Sequence, residues 1–193
     1  GPSEVAVIAD ENADAEFLAA DLLSQAEHGA DSQVVLFCTS QDLISKVKQA
    51  IDSQLAVLPR KEVAQKCLLN SKAVLADNLE QAVALSNAYA PEHLIINTGD
   101  SLDVANKITQ AGSVFIGAYT PESAGDYASG TNHTLPTNGA ARAYSGVSLD
   151  SFVKEITFQS INEEGIKNLG PTIEIMAEAE QLIAHKNAVS IRL

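Results

Sequence analysis

Short runs of β-branched and aliphatic residues alternate with longer segments of helical periodicity through the first 117 residues of the chain. The runs lie at 4–10, 33–39, 73–77, 93–99 and 112–117. They are mostly apolar, as strands covered on both faces are. The segments between them place apolar residues three and four positions apart, which predicts amphipathic helices. Strands separated by helices form βαβ units, so we expect an α/β fold with a parallel sheet.

The chain is predicted to divide where this alternation ends. Residues 1–146 are expected to form a portion of a Rossmann-like α/β domain, with helices flanking the sheet, that carries the functional motifs. Residues 147–193 leave no room for another βαβ unit. They are predicted to begin with a short helix and a strand, in SLDSFVKEI and FQSI, and to continue as two helices separated at Gly170 and Pro171. This region is either a helical lid on the sheet or an arm that reaches a neighbouring subunit.

The segment 121–137, with the sequence PESAGDYASGTNHTLPT, offers little to a core. Long loops without secondary structure are uncommon in compact domains and usually functional or disordered. Glycines among polar residues favour a binding loop on a rigid scaffold. Asp126 suits a metal ligand or a clamp on an amine, with a turn-forming role as the alternative. His133 either contacts a substrate oxygen or stabilises the loop.

The other three of the four histidines also lie beside polar partners. Gln25 and His28 are three residues apart near the end of the first predicted helix and therefore share a face. They are candidate metal ligands, although a histidine at a helix end also interacts favourably with the helix dipole. Glu180 and His185 are too far apart for one helix face unless the helix ends between them. A solvated helix terminus is the alternative for this pair.

Glu92 and His93 open the fourth predicted strand. A carboxylate and an imidazole can exchange protons near neutral pH, which is the chemistry of general acid–base catalysis. The alternative is a helix stop followed by a half-buried histidine. The pair lies at the amino end of its strand, whereas ligands of open α/β sheets usually bind at the carboxyl ends. Among all these candidates, a glutamine, two or three histidines and an aspartate make a mixed nitrogen and oxygen donor set, which suits Zn²⁺ or a similar divalent ion better than Mg²⁺.

Charge and cysteine usage limit the partners. The chain has 12 basic and 25 acidic residues, a net charge of −13, which disfavours nucleic acid and anionic membranes. No run approaches the ~18 apolar residues that span a bilayer. Cys38 and Cys67 lack metal-ligand spacing and are predicted to be buried free thiols of a reducing compartment. No glycine-rich dinucleotide or phosphate loop is visible.

Five blocks in order resemble the histidinol dehydrogenase family over essentially the whole chain. They are GPSEV, DLLSQAEHG, APEHL, AGSVFIGAYTPESAGDYASGTNHTLPT, and AEAE followed by AHKNAV. The resemblance implies a zinc-dependent enzyme that oxidises L-histidinol to L-histidine in two NAD-dependent steps. It also implies a cytoplasmic protein, or a plastid one if the source is a plant or alga. The family's sequences are longer, and the part upstream of GPSEV carries the residues that contact NAD.

The resemblance also assigns roles to residues. Zinc would be held by Gln25, His28, Asp126 and His185. His93 would be the general base for the alcohol proton, and Glu92 would activate water at the aldehyde stage. Substrate contacts are implied for the four zinc ligands and His93, and for Ser3, His133 and Glu180.

The C-terminal arm is implied to enter the partner's site in a homodimer, so that Glu180 and His185 would serve the other subunit. Two other interpretations stay open. One is a non-catalytic α/β binding or oligomerisation module that retains the motifs. The other is a flavodoxin-like regulatory domain, although the acidic cluster and lysine of such domains are not seen.

Overall fold

Five parallel strands form the sheet of the computed structural model, which describes residues 2–193. In chain order they are β1 (Glu4–Ala9), β2 (Gln33–Cys38), β3 (Lys72–Leu75), β4 (His93–Asn97) and β5 (Ser113–Ile116). The spatial order is β3-β2-β1-β4-β5, and every neighbouring pair is parallel. The predicted α/β fold is therefore confirmed. Gly1, the first residue of the GPSEV block, lies outside the described residues.

Helices connect the strands. They are α1 (Ala15–Ala26), α2 (Gln41–Leu55), α3 (Lys61–Leu69), α4 (Leu79–Tyr89) and α5 (Ser101–Ala105). All of these except α3 start where a short polar side chain accepts a backbone N–H group. Asp14 caps α1 by accepting from the N–H groups of Glu16 and Phe17. Ala90 ends α4 in the left-handed conformation, with φ 57°, directly before Pro91. This sharp stop sets the entry of the chain into β4.

The core lies on both faces of the three interior strands, β2, β1 and β4. Val5, Val7 and Ala9 of β1 pack in one buried cluster, whereas Ala6 and Ile8 pack in the other. Alternation of side chains along a strand explains the division, and helices on both faces explain why the strand sequences are almost wholly apolar. Both cysteines are buried and free, as predicted.

Part of the segment 121–137 is helical, which corrects the prediction of a long unstructured loop. Helix α6 (Glu122–Tyr127) begins directly after Pro121. Pro121 itself has an extended backbone conformation and is the N-cap residue. Gly125 allows this helix to lie against Phe115 of β5, because a Cβ at residue 125 would be 2.6 Å from the Phe115 ring. The six residues of α6 include only one β-branched or aromatic residue, Tyr127, so little in their side chains opposes a helix. Contact with Phe115 then stabilises about one and a half helical turns.

The chain forms two compact units, of which the first ends at Phe152 and the second is Val153–Leu193. The second unit differs from its predicted secondary structure in two places. Helix α7 (Glu163–Ala179) continues through Pro171 instead of ending there, because a proline removes one hydrogen bond from a long helix and the others remain. The break comes at Gln181, with φ 62°, before α8 (Ile183–Ser190). Residues 158–161 form no strand, since the rest of this unit offers only helices and no strand to pair with.

None of the helices described in residues 2–193 combines the length and the apolar character that crossing a bilayer requires.

A candidate metal and proton-transfer site at the amino edge of the sheet

Polar side chains meet at the edge where the parallel strands begin. Val5 of β1 pairs with His93 of β4, so Glu4 and Glu92 come from neighbouring chain segments at the same edge. Helix α1 runs opposite to the strands and therefore delivers Gln25 to this edge at its last turn. The sequence predicted five residues that the structure brings together here, namely Gln25, His28, Glu92, His93 and Asp126. Glu4 and Glu122 join them and were not predicted.

Ligands of such sheets usually bind at the carboxyl ends of the strands. In this chain Asp10 connects two loops at that end. The switch point of this strand order lies between the carboxyl ends of β1 and β4. There the buried Asp10 carboxylate accepts the N–H of Gly99 at 2.9 Å and the N–H of Asn12 at 3.0 Å. This carboxylate ties the two loops together, and the chemistry-bearing residues collect at the other end of the strands.

His93 is held as a neutral base. Its side chain is buried, and Nδ1 lies 3.0 Å from the Glu4 carbonyl oxygen. A carbonyl only accepts, so Nδ1 carries the proton and donates it, which leaves the lone pair on Nε2. Burial lowers the pKa of His93 below its ordinary 6.5. Nε2 has no hydrogen-bond partner in residues 2–193 and lies 3.9 Å from Asp126 Oδ1 and 4.0 Å from Glu122 Oε1.

Glu92 is buried beside the opposite side of the His93 ring. Its Oε2 accepts the Glu4 N–H at 2.9 Å and lies 3.6 Å from His93 Nδ1. Burial raises the pKa of Glu92 to about 7. The position of its backbone depends on Gly112, because a Cβ at residue 112 would lie 2.5 Å from the Glu92 carbonyl oxygen. Glu92 is therefore a carboxyl group poised to gain or lose a proton near neutral pH.

Glu122 and Gln25 are in direct contact. Gln25 is completely buried, and one polar atom of its amide lies 2.6 and 2.8 Å from the two carboxylate oxygens of Glu122. The other polar atom lies 3.2 Å from the Glu4 nitrogen. With its NH₂ group towards Glu122, the amide is hydrogen-bonded at both ends. With its oxygen towards Glu122, the amide presents a possible metal ligand to the cluster. The close contact between the amide oxygen and the Glu122 oxygens is then favourable only with a cation or a proton between them.

Three side chains are close enough to share one metal ion. His28, Glu122 and Asp126 each offer one donor atom, and these atoms lie within 4.8 Å of one another. His28 is exposed, whereas Glu122 is buried, so the group opens to solvent on one side. Imidazole nitrogen and carboxylate oxygen suit zinc, and the unpartnered His93 Nε2 points to the same place. The residues present therefore fit a divalent ion of this type.

Glu122 and Glu4 were not predicted, although the sequence contains a feature that indicates each of them. Glu122 precedes Asp126 by four positions, which puts both carboxylates on one face of α6 once that segment is known to be helical. Glu4 is an acidic residue in an otherwise apolar buried strand. Its Oε1 accepts the N–H of Asn138 at 2.9 Å, which fastens the chain after α6 to the sheet.

The remaining predicted residues are elsewhere or untested. Ser3 directly precedes Glu4 at the same edge and is partly buried. His133 is exposed on the chain after α6, and no hydrogen bond or ion pair within residues 2–193 involves its side chain. Glu180 and His185 belong to the second unit, where both are exposed. Their participation in the site stays a prediction.

The buried Glu122 gives the metal-free chain a predictable pH dependence. Burial and the neighbouring Asp126 and Glu92 raise the pKa of Glu122 to about 8, from 4.5. A raised carboxyl pKa contributes stability that is complete below pH 4.5 and is lost as the pH rises through about 8. Glutamine mimics the protonated acid, so Glu122→Gln should be increasingly more stable than the wild type over this range, by up to about 5 kcal/mol.

Urea unfolding of both chains at a series of pH values, with chelator present, measures this difference. His93 contributes the opposite trend at low pH, since its lowered pKa costs stability as it gains a proton, but this contribution is shared by the two chains. A difference in unfolding free energy that does not grow between pH 4.5 and 8 would show that Glu122 is not buried in this way.

Comparison with known proteins gives the same family over the entire chain. The family model for histidinol dehydrogenase matches residues 1–193. Histidinol dehydrogenase of Bacteroides fragilis strain YCH46 is 61% identical over 193 residues, which are 100% of this chain and 45% of the relative. The Haemophilus influenzae enzyme is 58% identical over the same residues and share. The chain thus spans about 45% of the length of these curated relatives.

A solved structure shows the same fold. The crystal structure of histidinol dehydrogenase from Elizabethkingia anophelis matches with a TM-score of 0.97 and 60% sequence identity. The match covers 100% of this chain and 44% of that chain.

Proposed function

Because the chain belongs to the histidinol dehydrogenase family, we propose that the protein carrying it oxidises L-histidinol to L-histidine in two NAD-linked steps. The observation that supports this most directly is His93, a buried neutral imidazole whose free Nε2 faces the candidate metal ligands. Removing the proton of an alcohol as hydride leaves requires such a base. NAD would be bound mainly by residues outside these 193.

Zinc is the metal we propose for the cluster. Gln25, His28 and Asp126 would hold it from one chain, and His185 would complete the set. When bound, zinc would hold the imidazole and amino nitrogens of L-histidinol and so orient its alcohol. Support comes from the convergence of His28 and Asp126 and from the Gln25 amide directed at the same group.

His93 and Glu92 divide the proton transfers between them. His93 would accept the alcohol proton at Nε2 in the first oxidation, and its Nδ1–H bond to the Glu4 carbonyl keeps the ring in that orientation. The second oxidation starts from an aldehyde hydrate, which needs a base for water. Glu92 is suited to that task because its pKa is raised to about 7. The Glu4 N–H holds one of its oxygens in place.

The second unit is proposed to exchange between the subunits of a homodimer and to supply Glu180 and His185 to the partner's site. Ser3 and His133 are proposed to contact the substrate. Large apolar side chains of the second unit are exposed, among them Phe158 at 92% and Ile191 at 80%. Such a surface is suited to burial against another chain. The free thiols of Cys38 and Cys67 support a cytoplasmic location.

Ligand-dependent stability tests the proposal. We expect zinc to raise the unfolding temperature of the complete protein and L-histidinol to raise it further, but only when zinc is present. A ligand at about 100 times its Kd stabilises by about 2.7 kcal/mol. An amino alcohol of similar size without the imidazole is the control and should have little effect. No bound zinc and no response to L-histidinol would instead favour the non-catalytic binding module.

A further inference from the structure

Glu122 is the least exposed acidic residue of the cluster, at 2%. No lysine or arginine within residues 2–193 forms an ion pair with it. A buried carboxylate without a positive partner is costly and is normally paired or bound to a metal. Its one ionisable ion-pair partner in the described part of the chain is His93, at 4.0 Å, and that imidazole is held neutral. A positive centre is therefore the partner that an ionised Glu122 lacks in the described part of the chain.

The Gln25 amide leads to the same place. If its NH₂ group faces Glu122, its oxygen turns to the Glu4 N–H and cannot reach a metal in the cluster. If its oxygen faces the cluster, it lies 2.6 and 2.8 Å from the two Glu122 oxygens. Three acceptors at such distances repel one another unless a cation or a carboxyl proton lies between them. An ion held by the Gln25 oxygen is consequently also within reach of Glu122.

A further observation points to a ligand beside Glu122. His93 Nε2 is buried, lacks a hydrogen-bond partner among residues 2–193, and points at Glu122 and Asp126. The donor atoms of His28, Glu122 and Asp126 are already grouped within 4.8 Å. The group thus contains Glu122 together with residues assigned above to zinc.

Building on the zinc site of the proposed function, we propose that Glu122 is an additional metal ligand in the substrate-free enzyme. Glu122 leaves the ion when the imidazole and amino nitrogens of the substrate bind. Two carboxylates, Glu122 and Asp126, then neutralise a divalent ion in the resting state. One neutral nitrogen donor replaces one carboxylate on substrate binding, so the ion gains net positive charge beside the alcohol. A more positive ion favours loss of the alcohol proton to His93.

Zinc affinity with and without substrate tests this exchange. We expect Glu122→Gln in the complete protein to bind zinc about 10–100-fold more weakly than the wild type when substrate is absent. Saturating L-histidinol should bring the two affinities together, because Glu122 no longer contacts the ion in the ternary complex. Competition with a chromogenic chelator measures both constants. Asp21→Asn is the matched control, since Asp21 acts on Glu122 through its charge but offers no donor to the cluster.

Each other outcome has a definite meaning. Equal zinc affinity of Glu122→Gln and wild type without substrate would overturn the proposal. A defect that persists at saturating L-histidinol would also overturn it, because Glu122 would then only position Gln25. An equal loss in Asp21→Asn would overturn it as well, by assigning the effect to charge alone. A wild-type protein that binds no zinc would instead refute the proposed function itself.

A measurement on the wild type avoids any folding defect of the variant. X-ray absorption at the zinc edge should show one carboxylate oxygen ligand fewer when L-histidinol is added. An unchanged count of oxygen ligands would contradict the release of Glu122.

Discussion

Replacing His93 with asparagine is expected to lower kcat for the first oxidation by about 10²–10⁴-fold, the usual contribution of a general base. The amide of the new side chain can still donate to the Glu4 carbonyl, as Nδ1 of the native ring does at 3.0 Å. The new side chain lacks the basic Nε2 that faces the candidate ligands. Steady-state and single-turnover kinetics of the complete protein with L-histidinol and NAD measure the loss.

The zinc content and the pH profile separate catalysis from structure. Zinc should remain near the wild-type level in His93→Asn, because His93 is not among the proposed ligands. The wild-type rate should fall at acid pH as His93 gains a proton, below its ordinary pKa of 6.5 because burial lowers that pKa. The variant should lose this acid limb in the first oxidation, where Glu92 has no proposed role. Loss of zinc, or a rate close to that of the wild type, would assign His93 another role.

Asp126→Ala is expected to remove zinc from the protein. Asp126 is proposed to ligate the ion directly, and it lies on α6, where its carboxylate is grouped with Glu122 and His28. Even outer partners of metal ligands change affinity by about 10–100-fold, so deletion of a charged ligand should cost at least about 100-fold. Metal analysis after gel filtration and chelator competition report the stoichiometry and the affinity.

Asp150→Ala is the control for this variant. Asp150 is an exposed acidic residue of the same unit, in a 3₁₀ turn outside the cluster. We expect it to retain zinc and activity. Normal zinc content and an unchanged KM for L-histidinol in Asp126→Ala would contradict the proposed role of Asp126.

The sheet could be predicted because its determinants are local. Buried parallel strands need continuous apolar runs, and helices on the two faces of the sheet need apolar stripes. Both patterns can be recognised in the amino-acid sequence. The predicted strand at 93–99 corresponds to His93–Asn97, and the strand at 33–39 to Gln33–Cys38. The resemblance to the histidinol dehydrogenase family is likewise confirmed by the match to residues 1–193.

The predicted secondary structure was wrong where tertiary contacts outweigh the local conformational preference of the residues. Pro171 favours a helix end, yet α7 continues past it, and Gly170 lets Leu193 pack closely against that point. A Cβ at residue 170 would lie 2.5 Å from the Leu193 side chain. In the same way, α6 depends on the contact of Gly125 with Phe115. Since that helix was not predicted, the common face of Glu122 and Asp126 was not predicted either.

The amino-acid sequence by itself determined which elements form and which donor types the chain can offer, because hydrogen bonding within helices and burial of strand faces depend on near neighbours. The tertiary structure alone decided the protonation and partners of those donors. The N–H of Glu4 holds Glu92 across 88 residues, the Glu4 carbonyl fixes the His93 tautomer across 89, and the Glu4 side chain holds Asn138 across 134. A pKa or a tautomer depends on the groups that exclude water around it, and those groups are adjacent only after folding.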